Sequence, residues 1–331
     1  MEFLEYIWLG KPLWMWLGFL GIVVTLLALD LGVLHKKQRE IGVTESLILS
    51  AVYICLGLSF GGWVWWYMGE TAGLEYITGF VIEKSLAMDN VFVIAMIFTY
   101  FAIPRQYQHR VLFWGILGVI VLRAIMIGVG ATLVEQFSWV LYIFAAFLVL
   151  TGIKMWMTAG KDYDVGSSGA LRYIQKHLPV TEKLHGEKFF VRRPDEVTGK
   201  PKLWVTPLFL ALAMVEIVDV VFAVDSVPAI FAITTDPFIV YTSNIFAILG
   251  LRALYFALAA MVHRFHYLKY ALALLLIFIG SKIFVADALG LAKIPPVASL
   301  SITFAILAAG VGWSLWKTRN GVPMIAPPEA K

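Results

Sequence analysis

The chain alternates long apolar blocks with short polar ones. The blocks fall at Trp14–Leu34, Ser46–Tyr67, Tyr76–Phe101, Val111–Val134, Phe137–Met157, Trp204–Ile233, Phe238–Val262, Tyr270–Val285 and Val297–Trp316. Each is close to the ~20 residues that a helix rising 1.5 Å per residue needs to cross a ~30 Å hydrocarbon layer. The pattern therefore predicts an all-α, polytopic membrane protein of about nine transmembrane helices. One polar stretch, Thr158–Leu203, is far longer than a turn and carries an aromatic patch at Phe189-Phe190-Val191. It predicts a small amphipathic helix near Leu171–Leu178 and a hairpin, and reads as a structural linker, because a core that small is marginal alone.

Charge interrupts the apolar pattern at two related places. One segment reads Glu83-Lys84-Ser85-Leu86-Ala87-Met88-Asp89-Asn90-Val91, the other Glu216-Ile217-Val218-Asp219 through Asp225-Ser226-Val227-Pro228. An offset of 136 residues places Glu83 on Asp219 and Asp89-Asn90-Val91 on Asp225-Ser226-Val227. An ionised carboxylate at the centre of a bilayer costs roughly 3 kcal/mol on insertion scales, so such residues face the bundle interior, pair with a cation or bind one in passage.

Two further landmarks follow each acidic block in the same order. Ile116-Leu117-Gly118 leads to Arg123, and Ile248-Leu249-Gly250 leads to Arg252. Thr151-Gly152-Ile153-Lys154 then matches Ile279-Gly280-Ser281-Lys282. Each unit holds an odd number of spans, so the two insert with opposite orientation. The expectation is a core of two inverted three-helix repeats, with a substrate site near mid-membrane at their interface. The chain then divides into a membrane domain with the first repeat (1–157), a cytoplasmic insert (158–203), the second repeat (204–285), and a last span with its tail (286–331).

Composition agrees with the pattern and removes other classes. At 331 residues, 60% hydrophobic and mean hydropathy +0.83, the chain is too apolar for a soluble domain. The net charge of +4 does not signal nucleic acid, because its distribution records topology. Lys36, Lys37, Arg39, Arg105, Arg110, Arg264, Lys269, Lys317 and Arg319 fall on one side, with nine more basic residues in the insert. The other side holds Lys11 and Lys293 beside Glu2, Glu5, Glu70, Glu75, Glu135 and Asp236. By the positive-inside rule the N-terminus lies outside and the C-terminus in the cytoplasm. Glu2 and Glu5 replace the basic start of a cleavable signal peptide. The single Cys55 allows neither an internal disulfide nor a thiolate cluster.

The embedded polar residues are the candidate chemistry. Asp89, Asp225, Glu216, Asp219, Glu83, Asn90 and Ser226 form the expected ligand set for a cation. Arg123, Arg252, Lys154, Lys282, Asp30 and Asn244 form the supporting charge. Arg123 and Arg252 stay protonated and need carboxylate or carbonyl partners, for which Glu83 and Asp219 are candidates. Lys84, Lys154 and Lys282 have stems long enough to snorkel. Asp30 reads equally as a structural tie or a gate, and Asn90, Ser226 and Asn244 also suit interhelical hydrogen bonds. Pro228 is expected to break its helix and free carbonyls beside Asp225. Hard oxygen donors suit Mg²⁺, Ca²⁺ or Mn²⁺, and thioethers at Met88 and Met214 would tilt the site toward Mn²⁺. The six histidines (His35, His109, His177, His185, His263, His266) sit in loops or at edges away from the acids, so no membrane enzyme and no prosthetic group is expected.

The segments Glu83–Val93 and Glu216–Ala229, with Thr242-Ser243-Asn244 and Leu249-Gly250-Leu251-Arg252, resemble the TerC family of bacterial membrane proteins, and most closely its Alx-type branch. The resemblance runs from Asp30 to Lys282. It implies an integral inner-membrane protein of the LysE-like superfamily that exports Mn²⁺; carboxylates that release the metal can take up protons, so exchange for H⁺ is the natural coupling. The resemblance leaves open a Ca²⁺/H⁺ exchanger, or a membrane partner protein that delivers metal to secreted enzymes or senses pH. Divalent metal and the lipid bilayer are the implied partners, together with secretion machinery or a second copy of the chain.

Overall fold

The computed structural model describes residues 2–32, 42–159, 164–194, 201–259, 267–290 and 294–318. The helices are α1 (Glu2–Glu5), α2 (Leu13–Gly32), α3 (Val43–Met68), α4 (Glu70–Tyr100), α5 (Arg105–Gln136), α6 (Val140–Thr158), α7 (Gly169–His177), α8 (Pro207–Phe231), α9 (Pro237–Leu249), α10 (Leu251–Ala259), α11 (Leu268–Ala288) and α12 (Pro296–Lys317). Two antiparallel ribbons complete the fold, β1 (Ile7–Trp8) with β2 (Lys11–Pro12) and β3 (Phe190–Pro194) with β4 (Pro201–Val205).

The fold is all-α and polytopic, and every apolar block of the sequence forms a helix over most of its described part, with Trp204 and Val205 in β4. Six helices, α3, α5, α6, α8, α11 and α12, are long and apolar enough to span a membrane. The bent pair α9–α10 makes a seventh if it counts as one span. That number falls short of nine for two reasons. The apolar part of α2 is short, Leu13–Leu29, and α4 carries Glu70, Glu75, Glu83, Lys84 and Asp89. Such a helix is tolerated because its neighbours are protein, not lipid: α4 packs against α3, α8, α9, α10 and α12.

The helix partnerships come in matched pairs, α4 on α9, α5 on α8 and α6 on α11. At the last of these, Gly152 lies against the carbonyl of Ala273 and the side chain of Ile277, while Gly280 lies against the carbonyl of Ala145 and the side chain of Val149. Ala145, Val149 and Gly152 each precede Ala273, Ile277 and Gly280 by 128 residues. The contact is therefore reciprocal, as contacts across a two-fold axis are. Small residues at these points let the two backbones approach.

One break spoils the match. Four residues separate Gly118 from Arg123, but one separates Gly250 from Arg252. Three missing residues are roughly 300° of helical rotation, so the second helix cannot continue in phase. α5 runs unbroken, whereas α9 stops at Leu249 and α10 leaves it with a bend of 42°. The last carbonyls of a helix have no internal donors. Lys84 supplies one here, its Nζ donating to the Ala247 carbonyl at 3.0 Å. A Cβ on Gly250 would lie 2.8 Å from that Nζ, so glycine makes room for the cap. Lys84 thus does not snorkel; its charge meets the negative end of α9. Pro228, by contrast, does not break α8, which continues to Phe231.

The insert forms the expected short helix, α7, and the β3–β4 hairpin. It packs Val165 and Leu171 onto a buried apolar cluster that includes Ile97, Phe98, Val111 and Leu208 at one end of the bundle. Arg110 ties it down, pairing with Glu187 at 2.9 Å and lying over the Phe189 ring. Lys36, Lys37, Arg39, Arg264 and Arg319, on which the orientation argument partly rests, lie outside the described residues.

Candidate functional site

Four helices meet at one guanidinium. Arg123, on α5, is 1% exposed. Its Nε and Nη2 donate to Asp219 of α8 at 3.3 and 3.2 Å. Its Nη1 donates to Glu83 of α4, to Ser226 Oγ of α8 at 3.0 Å and to Asn244 Oδ1 of α9 at 3.4 Å. Asn244 returns a hydrogen bond to Glu83 at 2.9 Å, and Asn90 donates to Asp219 at 3.4 Å. Every member is buried. A planar fork of donors can serve several acceptors at once, which a lysine at this position could not. With both carboxylates ionised the knot carries one excess negative charge.

The two matched acids therefore share one arginine. A symmetric arrangement would give each acid its own arginine, one Arg123 and the other Arg252. The bend at Gly250 carries Arg252 elsewhere, and its Nη1 lies 3.1 Å from His109 Nε2. This is the physical consequence of the three-residue shortfall.

Beside the knot is a cavity of about 40 Å³, lined by Asp89, Asn90, Asp225 and Ser226 with Leu86, Arg123, Met155, Phe222 and Leu276. The volume suits a small cation with a water or two, since one water needs roughly 10–15 Å³ measured this way. Asp89 is buried and its Oδ1 has no hydrogen-bond partner. Asp225 faces the Thr151 hydroxyl, with Lys154 adding positive charge nearby. Among the described residues neither acid enters an ion pair.

The seven expected ligands are thus sorted. Asp89, Asp225, Asn90 and Ser226 line the cavity, whereas Glu83 and Asp219 are bound to Arg123. Glu216 stands apart against α5, where a Cβ on Gly118 would overlap its carboxylate; its buried Oε2 has no partner. Among the described residues no group of three or more His, Cys, Asp or Glu gathers around one point. Met88 and Met214 pack in the apolar core, and the thioether at the cavity belongs to Met155. Of the supporting charges, Asn244 is in the knot, Lys154 is near Asp225, and Lys282 donates to Ser299 at 3.4 Å. Asp30 lies in the last turn of α2, and its side chain lies outside the described residues. Sequence reasoning missed Thr151, Met155 and the cap made by Lys84. The signal for Thr151 was the Thr151-Gly152-Ile153-Lys154 run, read only as a repeat landmark, and Met155 follows it directly.

Comparison with known proteins gives the chain its family. The model of the integral membrane protein TerC family matches residues 68–321. An uncharacterized membrane protein of Rickettsia bellii is 50% identical over 296 residues, covering 89% of this chain and 95% of its own length. An uncharacterized membrane protein of Myxococcus xanthus is 46% identical and covers 94% of each chain. Escherichia coli Alx, whose name proposes a membrane-bound redox modulator, is 46% identical over 90% of this chain and 92% of its own. No solved structure matches. The chain belongs to the TerC family of integral membrane proteins.

Proposed function

We propose that this TerC protein exports a divalent cation, Mn²⁺ before Ca²⁺, from the bacterial cytoplasm, with Asp89 and Asp225 as its carrier pair. The observation that carries this reading is the small cavity holding two carboxylates, one of them buried with an oxygen that accepts no hydrogen bond, beside two others that share one arginine. One acid comes from α4 and one from α8, so the pair bridges the two matched halves. Together they carry two negative charges, which one divalent ion or two protons balance equally. A metal-for-proton exchange then leaves the cavity neutral in both loaded states. The Asn90 amide, the Ser226 hydroxyl and the Met155 thioether complete a mixed oxygen and sulfur lining, softer than a Mg²⁺ or Ca²⁺ cage.

The reciprocal α6–α11 contact supports inverted repeats that rock about the pair. The basic side of the chain then faces the cytoplasm, with the N-terminus outside. A single cysteine gives no internal dithiol couple. A redox effect of the kind named for Alx would therefore follow from metal movement.

Reconstituted vesicles with a fluorescent Mn²⁺ indicator inside test the proposal under an imposed proton gradient. Asp89→Asn and Asp225→Asn are each expected to lower flux at least tenfold while the protein remains folded. Wild-type flux in either variant overturns it.

A further inference from the structure

A second cavity, about 300 Å³, opens at the end of the bundle opposite the insert. It is lined by Glu75, Thr78, Tyr142, Thr235, Asp287 and Phe231, among others. Asp225 of the carboxylate pair and Phe231 of this vestibule lie along the same helix. Asp225 and Phe231 are six residues apart on α8, roughly 9 Å of rise. Ile230 and Phe231 of the final turn of α8 pack in one buried apolar cluster with Ile82, Ile127, Leu148 and Ile279.

That turn is seated unusually. Pro228 removes one backbone donor from α8 between Asp225 and Phe231, leaving the Val224 carbonyl without its helical partner. The turn beyond is therefore held less by its own helix than by its neighbours. Those neighbours offer two glycine slots. Gly79 of α4 receives the tip of Ile230, where a Cβ would overlap Ile230 Cδ1. Gly130 of α5 receives the Phe231 ring, where a Cβ would lie 2.7 Å from Cε2. Phe231 is 2% exposed although it lines the vestibule, and its ring also meets Phe144 at 6.3 Å. In the opposite direction Ile94, Ile97, Phe98 and Leu208 belong to a second buried apolar cluster, onto which the insert packs Val165 and Leu171.

We propose that Ile230 and Phe231, hinged at Pro228 and seated on Gly79 and Gly130, form the gate between the carboxylate cavity and the vestibule. On the transport reading above, which this inference extends, the ion leaves through that gate. The fold would then rest closed on both sides of the cavity, with the hinged turn of α8 as the movable part of the vestibule side.

A membrane-impermeant methanethiosulfonate reagent tests the gate without requiring transport. Leu276→Cys places a thiol on the cavity wall in a Cys55→Ser background, and labelling is timed from each face in right-side-out and inverted vesicles. From the vestibule face, Phe231→Ala should raise the labelling rate at least tenfold. Gly130→Ala, which presses a methyl into the ring, should do the same, and Phe231→Leu should stay within about threefold of the parent. Labelling at the parental rate in whichever of Phe231→Ala and Gly130→Ala folds overturns the gate. So does faster labelling from the insert face alone. Mn²⁺ flux measured in parallel separates the two ideas, since a gate without flux sinks only the transport reading.

Discussion

Replacing Arg123 by methionine keeps the volume of the side chain but leaves Glu83 and Asp219 facing each other without a cation. Removing one partner of a buried ion pair costs about 3–5 kcal/mol, because the remaining charge keeps its desolvation penalty. Here two carboxylates are abandoned, along with the acceptors on Ser226 and Asn244. The upper part of the range applies, and at ~1.4 kcal/mol per decade it lowers the folding constant by about three decades. Arg123→Lys keeps the charge but cannot fork between two acids; losing one or two charge-assisted hydrogen bonds costs about 2–3 kcal/mol. The decisive variant is Arg123→Met with Glu83→Gln and Asp219→Asn, which removes both sides of the pair and should recover most of the loss. Reversible unfolding in mixed micelles, followed by tryptophan fluorescence, gives all three numbers. If Arg123→Met alone matches wild type, or if the triple variant is no better than the single one, the knot does not hold the helices together as described.

Three further outcomes follow from the same geometry. Lys84→Met uncaps the Ala247 carbonyl inside the bundle and should lower stability by about 1–3 kcal/mol, seen as a lower midpoint in the same assay. Gly118→Ala drives a methyl into the Glu216 carboxylate and should cost roughly 1–3 kcal/mol, most of which Glu216→Ala restores; an additive double mutant would show that the two do not touch. Mn²⁺ at a hundred times its dissociation constant should stabilise the wild-type fold by about 2.7 kcal/mol, and this gain should vanish in Asp89→Asn; equal gains in both would place the metal elsewhere.

The helices and the location of the polar centre were legible in the sequence because lipid imposes a blunt rule. Twenty apolar residues make a span, and an acid inside one must have a partner. The offset of 136 residues found Glu83, Asp89, Asp219 and Asp225 together, and all four lie around the Arg123 knot and its adjoining cavity. Which acid was neutralised was not legible. That depended on where Arg252 points, and hence on three residues missing after Gly250, a local phase change that composition does not display. The same applies to Pro228 and Gly250. Proline looked like the breaker, yet α8 absorbs it while the helix stops at a glycine, because the phase error accumulates there. Gly118, Gly130 and Gly152 carry no signal alone, since their meaning lies in the side chain or backbone each one faces.

The shared arginine also bears on how such a chain is made. Glu83 precedes Arg123 by 40 residues, whereas Asp219 follows it by 96 and Asn244 by 121. A ribosome delivering the chain from its N-terminus presents α4 and α5 to the bilayer long before α8 exists. At that moment Glu83 is the one acid of the Arg123 knot already made, and so the anion available to offset the guanidinium in hydrocarbon. Asp219 arrives later, into a position already wired for it. The order of synthesis thus assigns Glu83 to insertion and Asp219 to closure, and a nascent chain halted before Pro207 should tolerate the loss of neither Glu83 nor Arg123 alone.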